Sequence, residues 1–258
     1  MRAEHERPMP ACQAPLSSPS DDERFVARFL PDAAALAAAL AQPGCPLCRL
    51  GAAAVDACYA QLARPDAPPD LVEALARAHG FCFAHGWEAT HRLPPSVLAR
   101  LLGPALAACR QVAGRLAAAA ALPPTARAAH QALRRARAAL APPARCPLCT
   151  VEAAAVTAGA QLLLAALARV DGAAAYRASE GLCVRHARQA LAAAPPEAVP
   201  LLLERLAAPL DALLTDIEQY YRKATWEFAH EPKGAEQQAW LRGIARWAGA
   251  RRAVLGGA

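Results

Sequence analysis

Aromatic side chains make up only 5% of this 258-residue chain, and lysine is nearly absent: Lys223 and Lys233 are the only exceptions among 28 basic residues, the rest being Arg. With abundant Ala and Pro, the arginine excess reads as the codon bias of a GC-rich genome and carries no functional weight. Nowhere do Val, Ile, Thr and aromatics alternate with the two-residue period of a half-buried strand, which excludes a sheet protein and predicts an all-α fold. Ala-rich helices remove little area from water, so such a fold gains less from burial than a Leu-rich one, and cross-linking metals would help it most.

Long hydrophobic runs are missing too. Purely apolar stretches, such as Leu116 to Leu122, fall far below the roughly 18 residues that cross a bilayer. Met1 to Asp22 mixes charge with Pro and Ser and has no apolar stretch like a signal sequence. These features predict a soluble protein in the cytoplasm, where paired thiols serve more often as metal ligands or redox groups than as structural disulfides. Acidic residues are absent from Ala89 to Val151, while Arg92, Arg100, Arg110, Arg115, Arg127, Arg134, Arg135, Arg137 and Arg145 fall there. That stretch could attract nucleic-acid phosphate, centred on Arg127, Arg134, Arg135 and Arg137, although no reading helix or aromatic stacking motif accompanies it. The blander interpretation is a solvated basic face. No Gly-rich phosphate loop, nucleophile elbow or catalytic carboxylate pair is recognisable, so the chain does not read as an enzyme.

What the sequence does contain is a repeat. Cys45, Cys48, Cys82 and His85 recur as Cys146, Cys149, Cys183 and His186, each 101 positions later. Each set is a C-P-L-C followed by a G-x-C-x-x-H, three thiols and one imidazole, the ligand inventory of a closed tetrahedral metal site. Identities extend beyond the ligands: Ala52 to Val55 match Ala153 to Val156, Gly80 matches Gly181, and Pro94 and Pro95 match Pro195 and Pro196. Duplication predicts this division: a tail at 1–22, a helical segment at 23–44, repeats at 45–120 and 146–224 packed as one globular unit, a basic connecting helix at 121–145, and a C-terminal amphipathic helix at 225–258.

Within each repeat 33 residues separate the two ligand pairs. A helix of about 16 residues travels about 24 Å, so an antiparallel helix must return the chain. The Pro-rich turn at Pro65 to Pro69 and the Asp171-Gly172 pair mark the expected reversals, and Gly80 suits a left-handed cap ending the first return. On this reading each C-x-x-H approaches its own C-P-L-C, giving two sites formed within repeats. Pro46 and Pro147 fit the first position of a helix. The positive helix ends there would stabilise thiolates, with Arg49 or Arg185 assisting.

Cys₃His suits zinc first, two ions per chain, with an iron-sulfur cluster as the alternative. A thiol-redox role is the other rival, since C-P-x-C also resembles the glutaredoxin active-site motif, but that motif opens a helix in a βαβ setting. Cys12, Cys58 and Cys109 lack counterparts in the other repeat and read as one tail thiol and two packing thiols. His79 and His91 align with Glu180 and Ala192 and read as surface polar residues. In the last segment, expected to be helical from about Ala235 to Val254, Trp240, Ile244, Trp247 and Arg251 recur at three- and four-residue steps. Such a stripe most commonly packs on its own core; a protein partner, an anionic membrane surface or self-association are its other uses.

The doubled pattern resembles a family of uncharacterised bacterial helical proteins classed as a domain of unknown function. The likeness rests on Cys45, Pro46, Cys48, Gly80, Cys82 and His85 and on Cys146, Pro147, Cys149, Gly181, Cys183 and His186, and covers about residues 45 to 205. It implies a layout and no established activity.

Overall fold

Asp32 opens the first regular helix, α1 (Ala33–Leu40), its carboxylate accepting from the Ala35 N–H at 2.8 Å. The computed structural model describes residues 25–120, 130–131, 134–135, 138, 141 and 144–250. After α1 come α2 (Pro46–Ala63), α3 (Pro69–Arg77), α4 (Phe83–Arg92) and α5 (Pro95–Ala120). The second half supplies α6 (Pro147–Leu167), α7 (Val170–Ala178), α8 (Val184–Ala193), α9 (Val199–Ala224) and α10 (Ala239–Ala248). The fold is all-α, with no strand among the described residues. The tail at 1–22, Cys12 and most of the connecting helix, Arg127 and Arg137 included, lie outside those residues.

The helix starts repeat the sequence offset. Pro46, Pro69 and Phe83 begin α2, α3 and α4, and the residues 101 positions on, Pro147, Val170 and Val184, begin α6, α7 and α8. One expected reversal is displaced. Asp171 and Gly172 lie in the first turn of α7, because α6 stops at Leu167 and the chain turns before Val170. Gly172 has a packing reason instead: a Cβ there would stand 2.2 Å from the carbonyl oxygen of Ala166.

Contacts divide the chain into two compact units whose boundaries do not follow the repeats. Unit 1 comprises Met1–Arg28 and Tyr59–Thr150; unit 2 comprises Phe29–Cys58 and Val151–Ala258. The chain passes between them inside α2 and again inside α6.

Unit 2 holds a continuous core of Leu36, Leu40, Leu47, Leu50, Val156, Leu163, Tyr176, Leu182, Leu201 and Leu202, with Cys45, Cys48 and Cys183 embedded in it. Each fully buried Leu contributes roughly 1.5–3 kcal/mol, so in a chain this rich in Ala these few leucines dominate. Among the described residues one helix, α6, is long and apolar enough to cross a membrane by length and composition, with mean hydropathy 1.6 over an 18-residue window, contrary to the sequence expectation. Short apolar runs interrupted by single polar residues add up along its 21 residues. Its Val156, Ala160, Leu163 and Ala166 belong to the unit 2 core.

In unit 1, α3 and α4 pack on α5, burying Leu71, Leu75, Ala89, Leu93 and Leu101. Arg28 grips Asp70 in the first turn of α3 through two bonds of 2.9 and 2.8 Å. The C-terminal segment is shorter than expected: a 3₁₀ turn, Ala235–Gln238, precedes a ten-residue α10. Buried Glu236 fixes that turn by accepting from the Gly234 N–H at 2.8 Å and from Lys223 at 3.1 Å. Led by the Gly234 bond, these contacts hold its carboxyl at about 2.

Candidate metal centres

The eight repeated ligand residues gather into two groups of four, and every group takes its C-P-L-C from one repeat and its C-x-x-H from the other. Cys45, Cys48, Cys183 and His186 form the unit 2 site; Cys82, His85, Cys146 and Cys149 form the unit 1 site. Sites formed within repeats are thereby overturned. The reason lies in helix lengths. The 18 residues of α2 run about 27 Å and the nine of α3 only about 13 Å, so α3 is too short to retrace α2. In the second repeat 21 residues lead out and nine lead back, with the same shortfall.

Local sequence places every ligand at a helix start. Cys82 and Cys183 are the N-cap residues of α4 and α8. Cys45 and Cys146 immediately precede Pro46 and Pro147, and their carbonyls accept from the Arg49 and Thr150 N–H groups at 3.2 and 3.1 Å. Each site therefore collects two positive helix ends, which favour thiolates. Cys48, Cys149, His85 and His186 follow three residues after their capping cysteines, one turn along the same face.

In the unit 2 site, Nδ1 of His186 lies 3.4 Å from the Sγ atoms of Cys45, Cys48 and Cys183, and the Cys48 and Cys183 sulfurs are 3.9 Å apart. In the unit 1 site, Nδ1 of His85 lies 3.4 Å from Cys82 and Cys149 and 3.8 Å from Cys146, with Cys82 and Cys149 3.5 Å apart. A tetrahedral zinc with bonds of about 2.3 Å to sulfur and about 2.0 Å to nitrogen requires edges of about 3.8 Å between sulfurs and about 3.5 Å between sulfur and nitrogen. Both groups match those edges to a few tenths of an ångström, and each could hold a metal ion.

Electrostatics in both groups keep protons on some ligands and off others. Burial opposes the His85 imidazolium, yet its bonds with Cys146 and Cys82 outweigh burial and raise it to about 10; His186 rises to about 9 in the same way through Cys183 and Cys45. Cys82 is pushed far below the ordinary thiol range by bonds with Cys146 and Cys149, and Cys183 by bonds with Cys45 and Cys48. Cys149 is raised by its bonds to Cys146 and Cys82, and Cys48 by its bonds to Cys183 and Cys45. Each cluster thus sets one lowered thiol against a raised imidazole and a raised thiol, and protons leave such a set when a cation enters it.

The surroundings of the two sites differ. All four unit 2 ligands are buried, whereas Cys82 and Cys149 in unit 1 are half-exposed. Over the unit 2 site stands the end of α10: Gly249, at φ +91°, sits so close that a Cβ would lie 3.1 Å from the Cys48 sulfur and 3.5 Å from that of Cys183. One turn earlier Arg246 donates to the carbonyls of Glu180, Arg205 and Leu206 at 2.8, 2.9 and 3.3 Å. Pro209 inside α9 has no N–H to give Arg205, so Arg246 supplies the bond the helix lacks. Burial lowers the Arg246 pKa, while its interaction with the Cys45 charge opposes that effect. Arg246 is thus the cation set against the unit 2 thiolates. Arg49 is tied to Pro43 and Gln42 instead, and Arg185 is exposed. In unit 1, Tyr59 donates to the His85 carbonyl at 2.7 Å and bolts the ligand's backbone in place.

Neither Gly249 nor Tyr59 is foreshadowed by the repeat, since Leu148 and Ala160 stand at the 101-residue offset, and Arg246, which has Arg145 at that offset, lies outside the repeated ligand motifs; a Gly directly after an amphipathic helix was the available signal. Of the remaining thiols, Cys58 is fully buried, as a packing thiol should be, while Cys109 is exposed and does not pack. His79 and His91 join neither cluster; His91 is exposed, but His79 is half-buried in a left-handed turn at φ +55°. Arg134 and Arg135 are exposed. The aromatic stripe of α10 also departs from expectation: Trp240, Ile244 and Trp247 face solvent. The helix attaches through its other side, with Ala239 buried, Arg242 bonded to Asp216 at 2.7 Å and Gly243 against Ile217. The chain matches no family model, no curated protein and no solved structure.

Proposed function

We propose that this chain is a zinc-binding helical protein whose two Cys₃His sites are structural, pinning helix N-termini so that the helices present a surface to a partner. The observation that carries this reading is the match of both ligand groups to the edges of a zinc tetrahedron. Four protein ligands leave no open position for substrate or water, which favours a structural over a hydrolytic role. Thiolates kept as metal ligands suit a reducing compartment such as the cytoplasm. A scaffold role is supported by the solvent-facing Trp240, Ile244 and Trp247, the kind of aromatic group that anchors interfaces.

Metal counting on substituted proteins tests the reading. Wild type holds two zinc ions per chain by elemental analysis. Pairing across repeats means that Cys45→Ser with Cys183→Ser leaves one ion, while Cys45→Ser with Cys82→Ser leaves none. The reverse pattern would restore sites within repeats, and a wild-type protein purified without zinc under reducing conditions would sink the reading. Visible absorption in anaerobically purified protein would instead favour an iron-sulfur cluster.

A further inference from the structure

The two sites present the same pair of sulfurs to different surroundings. In unit 2 that pair is Cys48 and Cys183, 3.9 Å apart, both buried, with Gly249 near enough that a Cβ there would lie 3.1 and 3.5 Å from the two sulfurs. Its counterpart in unit 1 is Cys149 and Cys82, 3.5 Å apart and both half-exposed. Phe83, next to Cys82 at the start of α4, is 85% exposed, so the chain beside this pair also lies at the surface. A zinc-bound thiolate remains nucleophilic, and its attack on an oxidant is governed by access as well as by charge.

Resting on the zinc reading above, we propose that Cys82 and Cys149 form a modification site: a peroxide-sensitive thiolate pair that closes to a disulfide and releases the unit 1 zinc, while the unit 2 zinc is retained. One thiolate of the pair attacks a peroxide oxygen, the O–O bond breaks, and a sulfenic acid forms with loss of hydroxide. The second thiolate attacks that sulfur, the S–S bond forms and the sulfenic oxygen departs as hydroxide. Two electrons pass from the two sulfurs to hydrogen peroxide, and two protons from solvent complete two waters. The zinc is then left with Cys146 and His85 alone and is lost to solvent. Oxidation needs only a short approach, since the sulfurs close from 3.5 Å to a bond of about 2.05 Å. In unit 2 both sulfurs of the corresponding pair are buried, with Gly249 beside them.

The test uses the full zinc-loaded chain carrying Cys12→Ser and Cys109→Ser, which removes two thiols outside the sites. Its zinc is counted first: fewer than two ions per chain would count against the zinc reading itself, separately from this proposal. Hydrogen peroxide is then added and free zinc is followed with a chromogenic chelator, with peptide mapping under non-reducing conditions. The expected result is one ion released per chain, on the order of tenfold faster than the second. A Cys82–Cys149 disulfide appears in step, and dithiothreitol with added zinc restores two ions. Release of both ions at one rate, release of none, or a disulfide joining Cys48 and Cys183 would overturn the proposal.

Discussion

Units 1 and 2 carry the same four ligands on matching helix starts, yet only unit 2 buries its site in a leucine core beneath a further helix. Gly249 stands close to its sulfurs, Arg246 interacts electrostatically with Cys45 and Cys183, and its three cysteines count among the core residues. The unit 1 site lies nearer solvent and is braced by Tyr59. The repeated motifs therefore supply two equal sets of candidate ligands, and their surroundings make them unequal. Ligand identity decides that a site can hold metal; the covering helix decides how hard that metal is to reach.

The comparison breaks most sharply at the ligands. Replacing Cys183, which lies inside the unit 2 core, by Ser should destabilise the protein by more than about 4 kcal/mol, because loss of a structural metal and a buried mismatch coincide. Cys82→Ser, at the more exposed site, should cost less. Thermal melts followed by circular dichroism, with zinc counted on the same samples, rank the two. Equal melting temperatures would show that the core around the unit 2 site adds nothing.

Gly249→Ala probes the covering helix. At φ +91° a side chain is strained, and the new Cβ would press on the Cys48 sulfur, so a loss of about 1–2 kcal/mol is expected from the backbone alone. Competition with a zinc chelator should then strip unit 2 faster than in wild type and leave unit 1 unchanged. An effect on both sites alike would remove α10 from the account.

Proton linkage sharpens the comparison further. Both histidine pKa values stand above the ordinary 6.5 in the metal-free fold, so their contribution to stability is full below about 6.5. It is lost as pH rises, first through about 9 for His186 and then through about 10 for His85. Melts of chelator-treated protein should fall across that window. Zinc affinity should move the opposite way, rising with pH, because binding displaces protons from the imidazolium and from the thiols. Calorimetry in buffers of different ionisation enthalpy measures those protons directly. Smallest of all should be Trp240→Ala and Trp247→Ala, whose side chains face solvent; urea melts should shift by no more than about 0.5 kcal/mol.

Much of the helical layout was legible in the chain. Proline at the first helical position marked Pro46 and Pro147, whereas Pro69, read as the end of a turn, opens α3, and the cysteines before α2, α4, α6 and α8 fell at the helix starts where they were expected. Partner choice between ligand pairs was not legible, because 33 residues separate the pairs in both repeats and spacing alone suits either pairing. The burial of α10 was misread for a related reason. Its attaching side consists of Ala239, Arg242, Gly243 and Arg246, which hydrophobic periodicity does not score, while its aromatic side does score and is exposed.

Sequence by itself determined an all-α chain with eight ligands at helix starts, since helix propensity, proline geometry and ligand chemistry are local properties. Only the tertiary structure decided which four ligands share a site and how deeply each site lies. Those outcomes depend on how far a nine-residue helix can retrace a longer one, and on which later helix comes to rest against the sulfurs.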